Sequence, residues 1–217
     1  MSTDKPRRPR ADDGLLIVGL VGRAGSGKSS VAAALAARDA IVIDADQIGH
    51  EVTDRDPDVR AALLAEYGPA VYLDDGTLNR RLVATLVFQS PPALAALNRL
   101  VHPRIIQRVR ARIARLAAEG FRGPVVVDAA LMLDWGFEHE CDAILAVIAP
   151  EEAQVARLVA SRGWSDAEAR RRLAAQKTNA YFRDAADEVI DNSGEQAALG
   201  PAVDAALSRL LAVRGIA

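Results

Sequence analysis

Five short apolar runs, separated by longer segments rich in helix-forming residues, dominate the hydrophobic pattern of this chain. Each run has the length and composition of a strand that is buried on both faces. The runs lie at residues 15–21 (LLIVGLV), 40–44 (AIVID), 124–128 (PVVVD), 143–149 (AILAVIA) and 188–191 (EVID). Because strands that alternate with helices favour a parallel sheet covered on both faces, the pattern predicts an α/β fold with a five-stranded parallel sheet.

The longest interval between two of these runs, residues 47–120, has a helical pattern and contains no strong strand. Proline and glycine predict breaks within it at Pro57, Gly68, Gly76, Pro91 and Pro103. An insertion of this length between strands predicts a helical cap that receives a second substrate. A chain of 217 residues suits one such domain, so we expect a single domain over residues 14–217.

The segment from residue 151 to residue 177 is dense in arginine. Its arginines are Arg157, Arg162, Arg170, Arg171 and Arg172. Ser165 and Glu168 have the spacing of a capping box, which predicts that a new helix begins after a break at Gly163. We expect a helix-turn-helix lid over residues 157–177, in which some arginines face a bound ligand. A solvated, charged helix face is the alternative for the others, Arg170 or Arg171 among them.

A glycine-rich sequence, GRAGSGKS at residues 22–29, fills every fixed position of the pattern G-x-x-x-x-G-K-[ST]. It follows a predicted strand and precedes a helical segment, whereas an ordinary glycine turn would not require these flanks. Glycines let successive backbone N–H groups turn inward around phosphate oxygens, and the next helix adds its positive end. The sequence therefore predicts a nucleoside triphosphate site. Its residues are Gly22, Gly25, Ser26, Gly27, Lys28, Ser29 and Ser30.

Several polar side chains near this loop have defined chemistry. Lys28 is placed to reach the β- and γ-phosphates, and the Ser29 hydroxyl to ligate Mg²⁺. The second predicted strand delivers Asp44 and Asp46 at its end, where ligands of open α/β sheets collect. Two residues apart on a strand, the two carboxylates would point to one side. Asp128 ends the third predicted strand, which makes it a candidate magnesium group of the Walker B type. A nucleoside triphosphate with Mg²⁺ is therefore the expected ligand.

Composition narrows the classes of function. The chain has 27 basic and 29 acidic side chains, a net charge of −2 and an isoelectric point near 6.0, so it lacks the basic bias of a nucleic-acid-binding protein. No apolar run approaches the roughly 20 residues of a membrane span. The single cysteine, Cys141, has no internal partner for a disulfide. We expect a cytoplasmic protein with no nucleic-acid, membrane or obligate protein partner, and a disordered polar tail at residues 1–13.

Several segments together resemble the dephospho-coenzyme A kinases, P-loop enzymes that complete coenzyme A synthesis. They are GRAGSGKSS, VIDADQIGHEV, DGTLNRRL, ALNRLVHPRI and AADEVIDNSG. The resemblance covers nearly the whole chain from Leu15 onward. It implies that ATP phosphorylates the 3′-hydroxyl of dephospho-coenzyme A, and it implies a fold with a five-stranded parallel sheet, a helical coenzyme A-binding domain at 47–120 and a lid.

The resemblance also implies roles for single residues. Asp46 would accept the proton of the 3′-hydroxyl, and Asp44 is either its rival or a cap of the next helix. Arg80 and His102 would face coenzyme A, with a surface charge and a helix-start contact as the structural alternatives. Asn192 would contact the adenine. Arginines of the lid would neutralise phosphates during transfer, namely Arg157, Arg162 and Arg172.

One segment departs from the family pattern, and two other functions stay open. DAALMLD at residues 128–134 stands where many members have Pro-Leu-Leu-Phe-Glu, which leaves the role of Asp134 undefined. The nearest alternative is a P-loop kinase of another small metabolite or of a nucleoside monophosphate. The second is a nucleotide-binding switch that hydrolyses ATP slowly. Asp46 and the large insertion argue against a switch, because a switch needs no cavity for a second substrate.

Overall fold

A computed structural model describes residues 14–88 and 90–214 of the chain. Five strands form one sheet in the order β2-β3-β1-β4-β5, which confirms the predicted five-stranded parallel sheet. The strands are β1 (Leu15–Val21), β2 (Ile41–Asp44), β3 (Gly123–Asp128), β4 (Ala143–Ile148) and β5 (Glu188–Asp191). β1 pairs in parallel with both β3 and β4, and β4 pairs in parallel with β5. The central strand β1 is buried along its whole length.

Helices connect the strands. They are α1 (Lys28–Ala36), α2 (Ala45–Arg55), α3 (Pro57–Tyr67), α4 (Arg80–Phe88), α5 (Pro91–Ala118), α6 (Met132–Trp135), α7 (Glu151–Arg162), α8 (Asp166–Ala174), α9 (Asn179–Ala185) and α10 (Leu199–Arg214). Short 3₁₀ turns lie at Pro69–Val71, Phe137–Glu140 and Gln196–Ala198.

The chain divides into two compact units, and the first contains the described residues up to 43 and from 115 onward. Its core packs α1 and α10 against the sheet. Aliphatic side chains dominate it, among them Leu16, Leu20, Leu35, Leu145 and Leu210. Burial of each such side chain stabilises the fold by about 1.5 to 3 kcal/mol. This packing fixes the carboxyl end of β1, where the glycine-rich loop begins.

The second compact unit, Asp44–Ala114, contains α2, α3, α4 and most of α5. Its buried side chains include Val52, Val59, Leu63 and Val83. An isolated antiparallel bridge joins Tyr72 to Leu78. The grouping of residues 14–217 as one domain and the bounds 47–120 for a substrate-binding insertion stay predictions.

The predicted break at Pro103 is wrong, because α5 continues through it. Val101, Ile105 and Val109 recur every four residues and are all buried, so one apolar face holds the helix together across the proline. His102 therefore lies inside a helix and not at a helix start, where the sequence placed it. Its side chain is half-buried.

Two further expectations concern the polar tail and membrane-spanning segments. The predicted tail at residues 1–13 lies outside the described residues. Within the described ranges, no helix combines the length and the apolar character that crossing a membrane requires.

Candidate phosphate-binding site

The glycine-rich loop at residues 22–29 joins the buried end of β1 to the first turn of α1. Gly27 directly precedes α1 with a φ of 96°, a conformation that disfavours side chains, and a Cβ there would lie 2.1 Å from Nδ2 of Asn192. Gly25 has a φ of 72°, and its Cβ would lie 2.6 Å from the backbone oxygen of Gln154. Both positions therefore require glycine, for backbone conformation and for close packing.

Two side chains from distant segments bind the carbonyl groups of this loop. Arg157, on α7, donates to the backbone oxygens of Gly25 at 3.2 Å and Ser26 at 3.1 Å. Asn192, which directly follows β5, donates from Nδ2 to the same Ser26 oxygen at 2.8 Å, and its own carbonyl accepts from Arg157 at 2.8 Å. In a trans peptide the C=O and N–H groups point in opposite directions, so the N–H of Gly27 is turned away from this clamp. Arg157 and Asn192 thus orient the loop backbone as a phosphate nest needs.

Lys28 and Asp128 form an ion pair at the end of the loop. Lys28 is the first residue of α1, and its ammonium group donates to the carboxylate of Asp128, the last residue of β3. The two side chains are 16% and 18% exposed, so solvent screens their attraction less than it would at a fully exposed surface. The fold thus brings together two predicted site residues that lie 100 positions apart in the sequence.

The three serines of the loop region differ in exposure. Ser29 and Ser30 are exposed. Ser26 is fully buried, and its hydroxyl has no hydrogen-bond partner among the described residues. The hydroxyl of Ser26 therefore belongs to the packing of the loop, whereas that of Ser29 is open to a ligand.

Sequence analysis missed two buried polar side chains beside the loop. Arg23 is 7% exposed and donates to the backbone oxygen of Leu173 at 2.6 Å and to the carboxylate of Glu151 at 3.2 Å. Gln154, on α7, is buried and donates to Asn179 at 3.2 Å. Neither occupies a fixed position of the loop pattern. For Arg23, the one available signal was a long cationic side chain at a position that the loop pattern leaves free.

The predicted lid contains α7 and α8, joined by a turn at Gly163 with a φ of 65°. Ser165 accepts a hydrogen bond from the N–H of Glu168 at 3.2 Å, so the predicted helix start is confirmed. Arg172 donates to the Glu168 carboxylate at 2.6 Å, a bond that lowers the pKa of Glu168. Its guanidinium also lies 4.2 Å from the ring centre of Trp164.

The five arginines of this segment have different surroundings. Arg157 binds the loop, while Arg162 and Arg172 are exposed. Arg170 instead donates to Glu152 at 2.6 Å and to Asp166 at 2.8 Å. The alternative of a charged helix face therefore describes Arg170, and the movement of a lid stays a prediction.

In the second compact unit, Asp44 and Asp46 do not lie together on a strand, which corrects that expectation. Asp44 ends β2, and its carboxylate accepts from the N–H of Gln47 at 2.8 Å as the N-cap of α2. Asp46 lies in the first turn of α2. The helix begins immediately after Asp44 because a carboxylate at this position satisfies an N–H group that would otherwise lack a partner. The cap role that the sequence left open for Asp44 is thus confirmed.

Arg80, the first residue of α4, pairs with Asp54 in the last turn of α2. One guanidinium nitrogen lies 3.0 Å from both carboxylate oxygens of Asp54. Burial raises the pKa of Asp54, but the hydrogen bonds from Arg80 and from the N–H of Leu78 outweigh it and hold the pKa below its ordinary value. Arg80 therefore joins two helices of this unit.

Magnesium is the metal that the sequence predicts. Among the residues that the structure describes, no group of three or more His, Cys, Asp or Glu side chains is suited to hold a metal ion. Mg²⁺ that arrives with ATP needs no such group, because phosphates and water supply most of its ligands and the protein supplies one or two. The exposed hydroxyl of Ser29 and the carboxylate of Asp128 are oxygen donors of the kind that Mg²⁺ prefers. These residues fit the ion.

Comparison with known proteins gives a consistent family. The family model described as dephospho-CoA kinase matches residues 16–198. A dephospho-CoA kinase of Thermobifida fusca is 39% identical over 183 residues, which cover 84% of this chain and 90% of the relative.

Solved structures share the fold of this chain. TT1252 from Thermus thermophilus has a TM-score of 0.75 and 32% sequence identity, over 90% of this chain and 97% of that chain. A dephospho-CoA kinase from Campylobacter jejuni has a TM-score of 0.61 over 90% of this chain and 97% of that chain, and at 17% identity it supports the fold alone.

Proposed function

The chain belongs to the dephospho-CoA kinase family, and we propose that it transfers the γ-phosphate of ATP to the 3′-hydroxyl of dephospho-coenzyme A, giving coenzyme A and ADP. The observation that carries the proposal is the phosphate loop, whose carbonyls are held by Arg157 and Asn192 and whose lysine is paired with Asp128. Oriented amides and a fixed ammonium group suit phosphoryl transfer, because this reaction depends on positioning and on neutralisation of charge.

On the ATP side, the loop amides and the positive end of α1 bind phosphate oxygens. Lys28 neutralises charge on the β- and γ-phosphates. Arg157 acts on them indirectly by holding the loop, and the exposed Arg162 and Arg172 are the lid arginines that reach the phosphates. Asn192 holds the segment after β5 against the loop, on the side that we assign to the adenine.

Ser29 and Asp128 are the protein groups that hold Mg²⁺ with ATP. The bound ion would supply positive charge to the β- and γ-phosphates. The pairing of Asp128 with Lys28 supports this assignment, because it keeps the carboxylate beside the residue that precedes Ser29.

On the acceptor side, Asp46 receives the proton of the 3′-hydroxyl as the oxygen of that hydroxyl bonds to the γ-phosphorus and ADP leaves. Its position two residues beyond the end of β2 supports this role, since ligands of parallel sheets collect at the carboxyl ends of the strands. The second compact unit binds coenzyme A in this proposal, with Arg80 and His102 on the substrate side. We place the reaction in the cytoplasm, with ATP and dephospho-coenzyme A as the binding partners.

The test is ADP formation with Mg-ATP and a panel of acceptors. The panel contains dephospho-coenzyme A, fragments of it that lack part of the pantetheine arm, nucleoside monophosphates and shikimate. We expect dephospho-coenzyme A to exceed the others, and the truncated fragments to lose kcat as well as affinity because remote binding energy helps to align the hydroxyl. Equal turnover of a nucleoside monophosphate would contradict the proposal, as would ATP hydrolysis that no acceptor changes.

A further inference from the structure

Helix α8 is attached to the phosphate loop at three points, all within the first compact unit. The guanidinium of Arg23 donates to the backbone oxygen of Leu173 at 2.6 Å, near the end of α8. The backbone N–H of Ala24 donates to Oε1 of Gln176 at 2.9 Å, just beyond that end. The side chain of Ala24 packs against the small apolar cluster that joins α7 to α8, which consists of Val155, Leu158, Ala169 and Leu173.

The environment of Arg23 is unusual for a position that the loop pattern leaves free. Its guanidinium is buried, yet its hydrogen bonds go to the Leu173 carbonyl and to the half-exposed carboxylate of Glu151, and its Nε has no partner among the described residues. Removing a guanidinium from water is costly, and a cation beside the last carbonyls of a helix recovers part of that cost through the helix dipole. The loop pattern does not require an arginine at this position, so we look for its role in its contacts with Leu173 and Glu151.

Helix α8 is short and has few buried side chains. It has nine residues, of which only Ala169 and Leu173 are buried. A helix of this length is marginal in water without tertiary contacts. Its end is held by Arg23 and Gln176, so whatever orders the loop also orders α8.

We propose that Arg23 and Gln176 are positioning residues that couple the phosphate loop to α8, so that ATP bound to the loop stabilises the helix that carries Arg172. The inference rests on the proposed function, in which the loop binds ATP. Neither side chain contacts the reacting atoms. Each acts by fixing the loop backbone at one end and the last turn of α8 at the other.

The experiment measures amide hydrogen exchange over residues 166–177, with and without a saturating, non-hydrolysable Mg-ATP analogue, together with the steady-state kinetics. In the wild type, the analogue slows exchange in α8. In Arg23→Met and in Gln176→Leu this slowing is lost. Because a bond from a charged donor is worth more than a neutral one, the KM for ATP rises roughly tenfold in Arg23→Met and about threefold in Gln176→Leu. The KM for dephospho-coenzyme A stays within about twofold of the wild type, since α8 is not part of the second compact unit, which binds coenzyme A in the proposed function.

Arg38→Met is the matched control. Arg38 also donates to helix carbonyls and a carboxylate, through Ala34, Gly200 and Asp204, but it lies outside the site. We expect Arg38→Met to leave unchanged both the slowing of amide exchange by the ATP analogue and the KM for ATP. If Arg23→Met does not fold, as thermal unfolding will show, Gln176→Leu decides, because Gln176 is exposed and its loss does not disturb the core.

Two results overturn the inference: exchange in α8 that the analogue does not slow in the active wild type, or slowing that persists in both variants with an unchanged KM. A wild type that does not phosphorylate dephospho-coenzyme A would instead refute the proposed function. The two failures are therefore distinguishable.

Discussion

The phosphate loop and the second compact unit use charged side chains in different ways. Around the loop, Arg157 and Arg23 bind backbone carbonyls that lie 132 and 150 positions away in the sequence. In the second unit, Arg80 and Arg108 bind the carboxylates of Asp54 and Asp56, only 26 and 52 positions away. The bonds of Arg157 and Arg23 thus join segments far apart in the sequence of the first unit, whereas those of Arg80 and Arg108 join segments that are closer in the sequence.

This difference separates two kinds of functional effect. A substitution that touches the loop alters the orientation of backbone amides and with it ATP binding. A substitution among the ion pairs of the second unit alters its stability in a way that depends on pH. The following predictions test this separation.

Asp46→Asn has the largest expected effect. It retains the size of the side chain and removes its basicity, so kcat falls by about 10² to 10⁴ while the KM for ATP changes little. Steady-state kinetics with both substrates measure this.

Asp44→Asn is the comparison for that variant. Asn also caps helices well, so the N-cap of α2 is retained and activity falls much less. If Asp44→Asn lost more kcat than Asp46→Asn, the proton acceptor would be Asp44 and the assignment here would be wrong.

Lys28→Met has the next largest effect. It removes the ammonium group that meets the phosphates, and kcat/KM falls by about 10² to 10³, as for loss of one positioned donor to a transition-state charge. Thermal unfolding shows whether the variant folds, since Asp128 loses its partner. A folded Lys28→Met with turnover near that of the wild type would exclude the loop from the reaction.

Much of the fold was predictable because it depends on local patterns. The apolar runs predicted all five strands, and Ser165 with Glu168 predicted the start of α8. Pro103 misled the prediction because tertiary burial of the residues around it outweighs the helix-breaking tendency of proline. Asp46 lies in a helix and not on a strand, because the carboxylate of Asp44, at the end of the five-residue run, caps the helix that begins at Ala45.

The contacts that hold the carbonyls of the phosphate loop could not be predicted from the sequence, for a different reason. The pattern of residues 22–29 predicts the roles of the glycines and of Lys28. The structure adds the ion pair between Lys28 and Asp128. The pattern does not indicate that Arg157 and Asn192 hold the carbonyls, because these contacts join segments more than 130 positions apart. Only the sheet order, which brings β1, β4 and β5 together, places them there.

Arg80→Met tests the second unit with a smaller effect on stability. The pKa of Asp54 is lowered in the folded state, so its pair with Arg80 contributes fully above the unfolded pKa of about 3.9 and is lost as the pH falls through the lower folded value. The free energy of unfolding falls by about 1 kcal/mol at pH 7 and converges with that of the wild type as the pH falls below the folded pKa of Asp54.

Arg81→Met is its control, because Arg81 is exposed on the same helix. We expect the free energy of unfolding of Arg81→Met, measured in urea, to equal that of the wild type at every pH. If the free energies of unfolding of Arg80→Met and the wild type differed by the same amount down to acid pH, the ion pair between Arg80 and Asp54 would not be the cause of the difference.

Cys141→Ser has the smallest expected effect on activity. The thiol is fully buried and lies 3.5 Å from the backbone oxygen of Phe137. Turnover stays within about twofold of the wild type, since a fully buried thiol is not accessible to a substrate. Rapid inactivation of the native protein by a thiol reagent, prevented by ATP, would contradict this.

The central claim is that the chain transfers one phosphoryl group from ATP to one hydroxyl of dephospho-coenzyme A. The most direct measurement is ³¹P NMR with mass spectrometry of the product formed from Mg-ATP and dephospho-coenzyme A. The account predicts one new phosphate monoester at the 3′ position and one ADP for each product molecule. Inorganic phosphate without a phosphorylated acceptor, or a phosphate at another position, would contradict it.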